Sequence, residues 1–158
     1  MVLAGDDKML RLTDNNAGGD VYTQLVTAAD HGMVTGVMQF QMRNSVDDEK
    51  GGAQFRKGVV VCLMVFFEDD GHIYLNTIGE GVFDCGAYNA NQWYTIRLHY
   101  DCIARQAVLF IDNVFKAHRA LSAGAAGDYV DRLHFYTTNP GTGYTVDFNN
   151  LKVFNLTI

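Results

Sequence analysis

From residue 34 to residue 43 the chain alternates strictly. Val34, Gly36, Met38, Phe40 and Met42 fall on one parity, and Thr35, Val37, Gln39, Gln41 and Arg43 on the other. Successive side chains of an extended strand point to opposite faces, so this pattern describes one buried and one wet surface. The same reading sets Tyr94, Ile96, Leu98 and Tyr100 against Trp93, Thr95, Arg97, His99 and Asp101, and Leu133 and Phe135 against Arg132, His134 and Tyr136. Residues 59–67 are apolar on both parities, which suits a central strand covered on both sides. No long stretch repeats apolar residues at helical spacing. The pattern predicts eleven strands, at 9–14, 20–26, 34–43, 58–68, 72–77, 81–86, 92–100, 107–112, 114–118, 130–137 and 145–156. The predicted class is all-β, a two-sheet antiparallel sandwich.

Between the strands, Asp69-Asp70-Gly71 and Asp112-Asn113 supply residues that tolerate the backbone angles of tight hairpins. Residues 44–57 are polar and charged and read as a loop, either an edge or the rim of a binding site. Residues 119–128, rich in Ala and Gly, read as a connection between the sheets.

Composition narrows the function classes. With 158 residues the chain is long enough for one domain, 1–158, to build its own core. A net charge of −6 and a pI near 5.1 argue against the large footprint of clustered Lys and Arg that nucleic acid requires, so no nucleic-acid partner is expected. The run 59–67 is about half the ~20 apolar residues of a membrane-spanning helix, so no membrane insertion is expected. The segment Met1–Asp6 has no basic stretch followed by a long apolar one, the mark of a secretion signal. Cys62, Cys85 and Cys102 allow one bridge at most and form no C-x-x-C pair. They are expected to act as small hydrophobes, with Cys62 the most buried because it lies mid-strand.

The second half of the chain carries a more specific signal. It comprises Phe-Phe-Glu-Asp-Asp-Gly-His-Ile-Tyr at 66–74, Gly-Ala-Tyr-Asn-Ala-Asn-Gln-Trp-Tyr-Thr-Ile-Arg-Leu at 86–98, and Val-Leu-Phe-Ile-Asp-Asn at 108–113. With Leu-His-Phe-Tyr-Thr at 133–137 and the strand at 144–153, this order resembles the concanavalin A-like and laminin G-like jelly rolls over residues 34–154. The resemblance implies a concave groove across one sheet that holds a glycan, with calcium at the rim or on the convex side. It also implies an extracellular or cell-surface setting and association with other domains of a larger secreted, polysaccharide-handling protein. A laminin G-like protein-interaction module is a further reading of the same fold.

The candidate chemistry follows the wet faces. Hydrolysis of a glycosidic bond needs two flanking carboxylates, yet no acid pair stands at i and i+2 within a strand. β-Elimination needs a group that neutralises a uronate and a His or Tyr that moves protons. Gln39-x-Gln41-x-Arg43, Arg97-x-His99 and Arg132-x-His134-x-Tyr136 supply those types. The lyase patterns Arg-x-Glu-x-Arg, Gln-x-His and Tyr-x-Lys-x-Gly are absent, so a polysaccharide lyase is the alternative and a non-catalytic glycan-binding module the leading reading. In it, Gln39, Gln41, Arg43, Arg97, His99, Arg132 and His134 line one trough. The arginines pair with carboxylate or sulfate, and Tyr74, Trp93 and Tyr136 stack on sugar rings. Calcium, if bound, would take Asp69, Asp70 and Asp147 as hard oxygen ligands. His31, His72 and His118 lack ligand spacing, and Asn155-Leu156-Thr157 matches a glycosylation acceptor.

Overall fold

Alternation converts directly into strands in the computed structural model, which describes residues 9–15, 19–26, 33–121, 129–138 and 142–155. There are twelve: β1 (Leu10–Asp14), β2 (Tyr22–Val26), β3 (Thr35–Asn44), β4 (Gly51–Lys57), β5 (Val60–Phe67), β6 (His72–Thr77), β7 (Gly81–Ala87), β8 (Tyr94–Asp101), β9 (Gln106–Ile111), β10 (Val114–Ala120), β11 (Arg132–Thr137) and β12 (Tyr144–Asn155). They form two antiparallel sheets of six strands. Sheet A runs β1-β12-β3-β8-β9-β10 and sheet B runs β2-β11-β4-β5-β6-β7. No helix among the described residues is long and apolar enough to cross a membrane.

The inward parities of both sheets meet in one core. Met38, Phe40 and Met42 of β3 and Ile96 and Leu98 of β8 face Phe55 of β4, Leu63, Val65 and Phe67 of β5 and Leu75 of β6, all at 0% exposure. Aromatic rings join the layers: Phe135 of β11 lies 4.6 Å from Phe148 of β12 and 6.3 Å from Phe40, and Phe55 lies 6.4 Å from Tyr100. Each such buried side chain contributes about 1.5–3 kcal/mol by leaving water. The apolar run at 59–67 becomes β5, fourth of six in sheet B. No disulfide links the three cysteines, and Cys62 is the most buried at 1% exposure.

The structure corrects the loop expected over 44–57. Asn44 ends β3, donating from its amide to the Glu49 carbonyl at 2.6 Å, and the chain then enters β4, an interior strand of sheet B. Ala53 and Phe55 point inward and Gln54 and Arg56 outward, an alternation that the glycine pair and the charges obscure in the sequence. The expected hairpin at Asp112-Asn113 is present, with φ of 51° and 65°, as is left-handed Gly71 at φ 79°. β10 continues to Ala120, so the connection expected from 119 starts later, and its residues 122–128 lie outside the described ones, as do His31, Leu156 and Thr157.

Candidate functional site

Each sheet presents its wet parity on the side away from the core, so the molecule has two outward faces. The residues expected in one trough are divided between them. Gln39, Gln41 and Arg43 of β3, Arg97 and His99 of β8, and Trp93 just before β8 belong to sheet A. Tyr74 of β6 and Arg132, His134 and Tyr136 of β11 belong to sheet B. The single trough is therefore corrected to two half-sets on opposite sides. Parity along a strand says which residues point outward, but only the pairing of distant strands says from which sheet.

On sheet A much of the charge is consumed internally. Asp147 of β12 lies between Arg11 of β1 and Arg43 of β3, at 2.7 Å and 2.6 Å, with a side-chain exposure of 2%. Burial pushes its carboxyl up, but hydrogen bonds from both guanidinium groups outweigh this and hold it below its usual range. The Arg43 guanidinium lies 4.7 Å from the Trp93 ring, so this indole has one face taken by the protein itself. Gln39 pairs across the ladder with Arg97, whose guanidinium stacks 4.4 Å over Phe110. Gln41 accepts from the Asn150 amide at 2.6 Å. Burial, then the charge of Arg97, lowers the pKa of His99.

Sheet B carries a different arrangement. One row across it runs Tyr22, Tyr136, Gly52, Phe66, Tyr74 and Asp84, and the next runs Gln24, His134, Gln54, Met64, Asn76 and Val82. Tyr22, 61% exposed, stacks on the buried His134 ring at 4.8 Å and 22°, and Phe66 stacks on Tyr74 at 5.8 Å. His134 Nδ1 is buried without a hydrogen-bond partner, and burial followed by the charge of Arg56 lowers its pKa. In the third row Arg132 and Arg56 are direct cross-strand partners. Arg132 Nε reaches Asp131 at 3.0 Å, and the same carboxylate accepts the Gly58 N–H, while Arg56 Nε donates to the neutral Gln54 amide oxygen at 2.7 Å. At the far end, Tyr74 donates to Asp70 at 2.7 Å, which pushes its phenol up to about 12. His72 Nδ1 lies 2.9 Å from Asp84, and this hydrogen bond raises its pKa.

The expected calcium ligands are not gathered. Asp147 sits in its clasp on sheet A, whereas Asp69 and Asp70 lie in the β5–β6 turn of sheet B, where Lys50 approaches Asp69 at 3.3 Å. Among the described residues no three His, Cys, Asp or Glu side chains stand together as a metal site. Two residues of the sheet B face escaped the sequence reading, Gln54 and Arg56, because their strand was read as a loop. The alternation of residues 53–56 was the signal. Tyr22 was on a predicted strand, but nothing local marks it as lying over His134.

No protein-family model matches the sequence, and no curated protein matches it. Among solved structures, a sialidase superposes over 94% of the chain with a TM-score of 0.82 and 13% identity, and the chain spans 15% of that protein. A tetrameric galectin from the ball sponge Cinachyrella sp. matches over 85% of the chain and 99% of its own length, with a TM-score of 0.65 and 12% identity. An alginate lyase from Corynebacterium sp. matches over 75% of the chain and 57% of its own length, with a TM-score of 0.59 and 12% identity. These likenesses define the fold: a concanavalin A-like jelly roll of two antiparallel sheets.

Proposed function

We propose that this protein is a non-catalytic glycan-binding module that holds an acidic polysaccharide on the outer face of sheet B. The observation that carries this is the cross-strand pair Arg56–Arg132. Like charges directly opposite each other destabilise a sheet. The Asp131 carboxylate pairs with Arg132, and Arg56, one row from the Tyr22-covered His134, makes no ion pair among the described residues, so a carboxylate or sulfate laid across the pair supplies the anion that Arg56 lacks. Tyr22 and the Phe66–Tyr74 stack offer flat surfaces to sugar rings, and Gln54 and Asn76 stand in the adjacent row as hydroxyl partners. The sponge galectin, a named lectin spanned almost in full, supports the glycan reading. An extracellular or cell-surface setting, within a larger polysaccharide-handling protein, accompanies it.

Affinity electrophoresis against carboxylated and sulfated polysaccharides tests the proposal. Arg56→Ala or Arg132→Ala is expected to weaken retention by about tenfold or more, since a charged hydrogen bond is worth about 1.5–3 kcal/mol, and Arg97→Ala on sheet A leaves it unchanged. Retention unaffected in both sheet B variants rejects the site. A lyase is the weaker reading. His72, oriented by Asp84, and Tyr74 do stand together, but Asp70 and Asp84 beside them repel a uronate. Uronate polymers are expected to show no growth of ultraviolet absorbance from an unsaturated product.

A further inference from the structure

At the edge of the sandwich, where β10 meets the β8–β9 and β6–β7 turns, a cavity of about 440 Å³ is lined by Glu80, Arg105, Gln106, His118, Arg119 and Leu121. It adjoins a second depression of about 160 Å³, walled by Thr35, His99, Asp101 and Val108, with Gln106 common to both. Together they fall in the size range of small-molecule sites. We infer that this cleft binds a small hydroxylated anion, a sugar acid or a sugar phosphate, with its charge at Arg105 and its hydroxyls toward Gln106, His99 and Asp101.

The charge balance of the walls gives the sign of the ligand. Glu80 is already neutralised: Arg119 Nε lies 3.0 Å from its carboxylate and an Arg119 Nη donates to its carbonyl at 3.1 Å. That guanidinium is held by stacking 5.1 Å over Phe83. Arg105 takes part in no ion pair among the described residues, and its backbone is fixed: φ is 57°, and its carbonyl accepts the Leu121 N–H at 2.9 Å. His118 Nε2 is 3.1 Å from the Gln106 amide oxygen, so Nε2 donates and fixes the imidazole beside Arg105. An anion entering this cavity meets an uncompensated guanidinium without having to displace a carboxylate from it.

The adjoining depression gives the rest of the ligand. His99 Nε2 is buried there without a hydrogen-bond partner, an unfavourable arrangement that a small side-chain shift toward a ligand hydroxyl relieves. Asp101 uses Oδ1 to accept the N–H groups of Ile103 and Ala104 at 2.9 Å and 2.8 Å, which holds its carboxylate at the rim as an acceptor for hydroxyls. It also disfavours placing the anionic group at that end, so the ligand has one orientation. This site shares no residue with the sheet B face and does not depend on it.

The test is an NMR titration of the intact chain, following the His118 imidazole and Arg105 Nε–H signals, with D-glucuronate, glucose 6-phosphate and glucose as probes. Glucuronate and glucose 6-phosphate, or one of them, are expected to shift both signals saturably, the more tightly bound probe identifying the anion, whereas glucose leaves them in place. Arg105→Gln is expected to weaken that binding by about tenfold or more, Arg105→Lys to restore part of it, and Arg132→Gln to leave it unchanged. The proposal is overturned if neither anion moves the His118 signal, if glucose binds as well as they do, or if Arg105→Gln binds within about twofold of the native chain.

Discussion

On the outer surface of sheet A, a carboxylate that reads in the sequence as a metal ligand is instead the centre of an ionic clasp joining three strands. Asp147 is 1% exposed, while Arg11 and Arg43, which hold it, remain partly in water. Asp147→Asn keeps the shape but leaves two guanidinium groups without their anion. The expected loss is about 1–3 kcal/mol, at the lower end because the partners are solvated. Because the folded carboxyl titrates below its unfolded value, its stabilisation is present above about pH 4 and is lost as the pH falls through the depressed value. Urea denaturation as a function of pH is expected to show an acid-side slope in the native chain that is shallower in the variant.

His134 couples in the opposite sense. Burial and Arg56 keep it neutral in the unliganded protein, with its pKa below the ordinary value. On the proposed reading, an acidic glycan laid across Arg56 and Arg132 would offset the charge of Arg56 and restore part of the pKa, so that binding is expected to take up protons. Affinity for the acidic ligand is therefore expected to rise as the pH falls from about 7 through the histidine range. In His134→Gln, calorimetry in buffers of different ionisation enthalpy is expected to show that this proton uptake has gone; uptake undiminished in the variant would place the titrating group elsewhere.

At the scale of elements, β4 decides where the proposed site lies, and it is the strand least visible in the sequence. Its first residues are Gly51 and Gly52, and a Cβ on Gly52 would stand 2.3 Å from the Val65 carbonyl oxygen and 2.6 Å from the Phe66 Cα. The partner is backbone, which cannot turn aside as a side chain would. Gly52→Ala is expected to cost at least about 2 kcal/mol, read as a lower urea midpoint with little change in slope, or to yield no folded protein. The hairpins were legible because their chemistry is local: Asp112-Asn113 and Gly71 adopt the positive φ for which such residues are selected. β4 was not, because glycines required by close packing look the same in a sequence as glycines of a loop.

Across the whole molecule, the antiparallel order separates segments that look alike. Arg97-x-His99 and Arg132-x-His134-x-Tyr136 have the same pattern, yet β8 pairs with β3 and β9 in sheet A, and β11 with β2 and β4 in sheet B. This is why Arg97→Ala serves as the control for Arg132→Ala: the two side chains have the core of the sandwich between them. It also sets the Asp147 clasp, one carboxylate between two arginines, on one face and the cross-strand pair Arg56–Arg132, with Asp131 against Arg132, on the other.

The amino-acid sequence by itself determined the eleven strands other than β4, their inward and outward parities, the tight turns and the burial of Cys62, because each depends on side-chain alternation or on the conformational preference of a few adjacent residues. The tertiary structure alone decided which outward residues share a surface and that Asp147 faces arginines. Those outcomes depend on hydrogen-bond pairing between segments as far apart as Arg11 and Asp147, which no local pattern encodes.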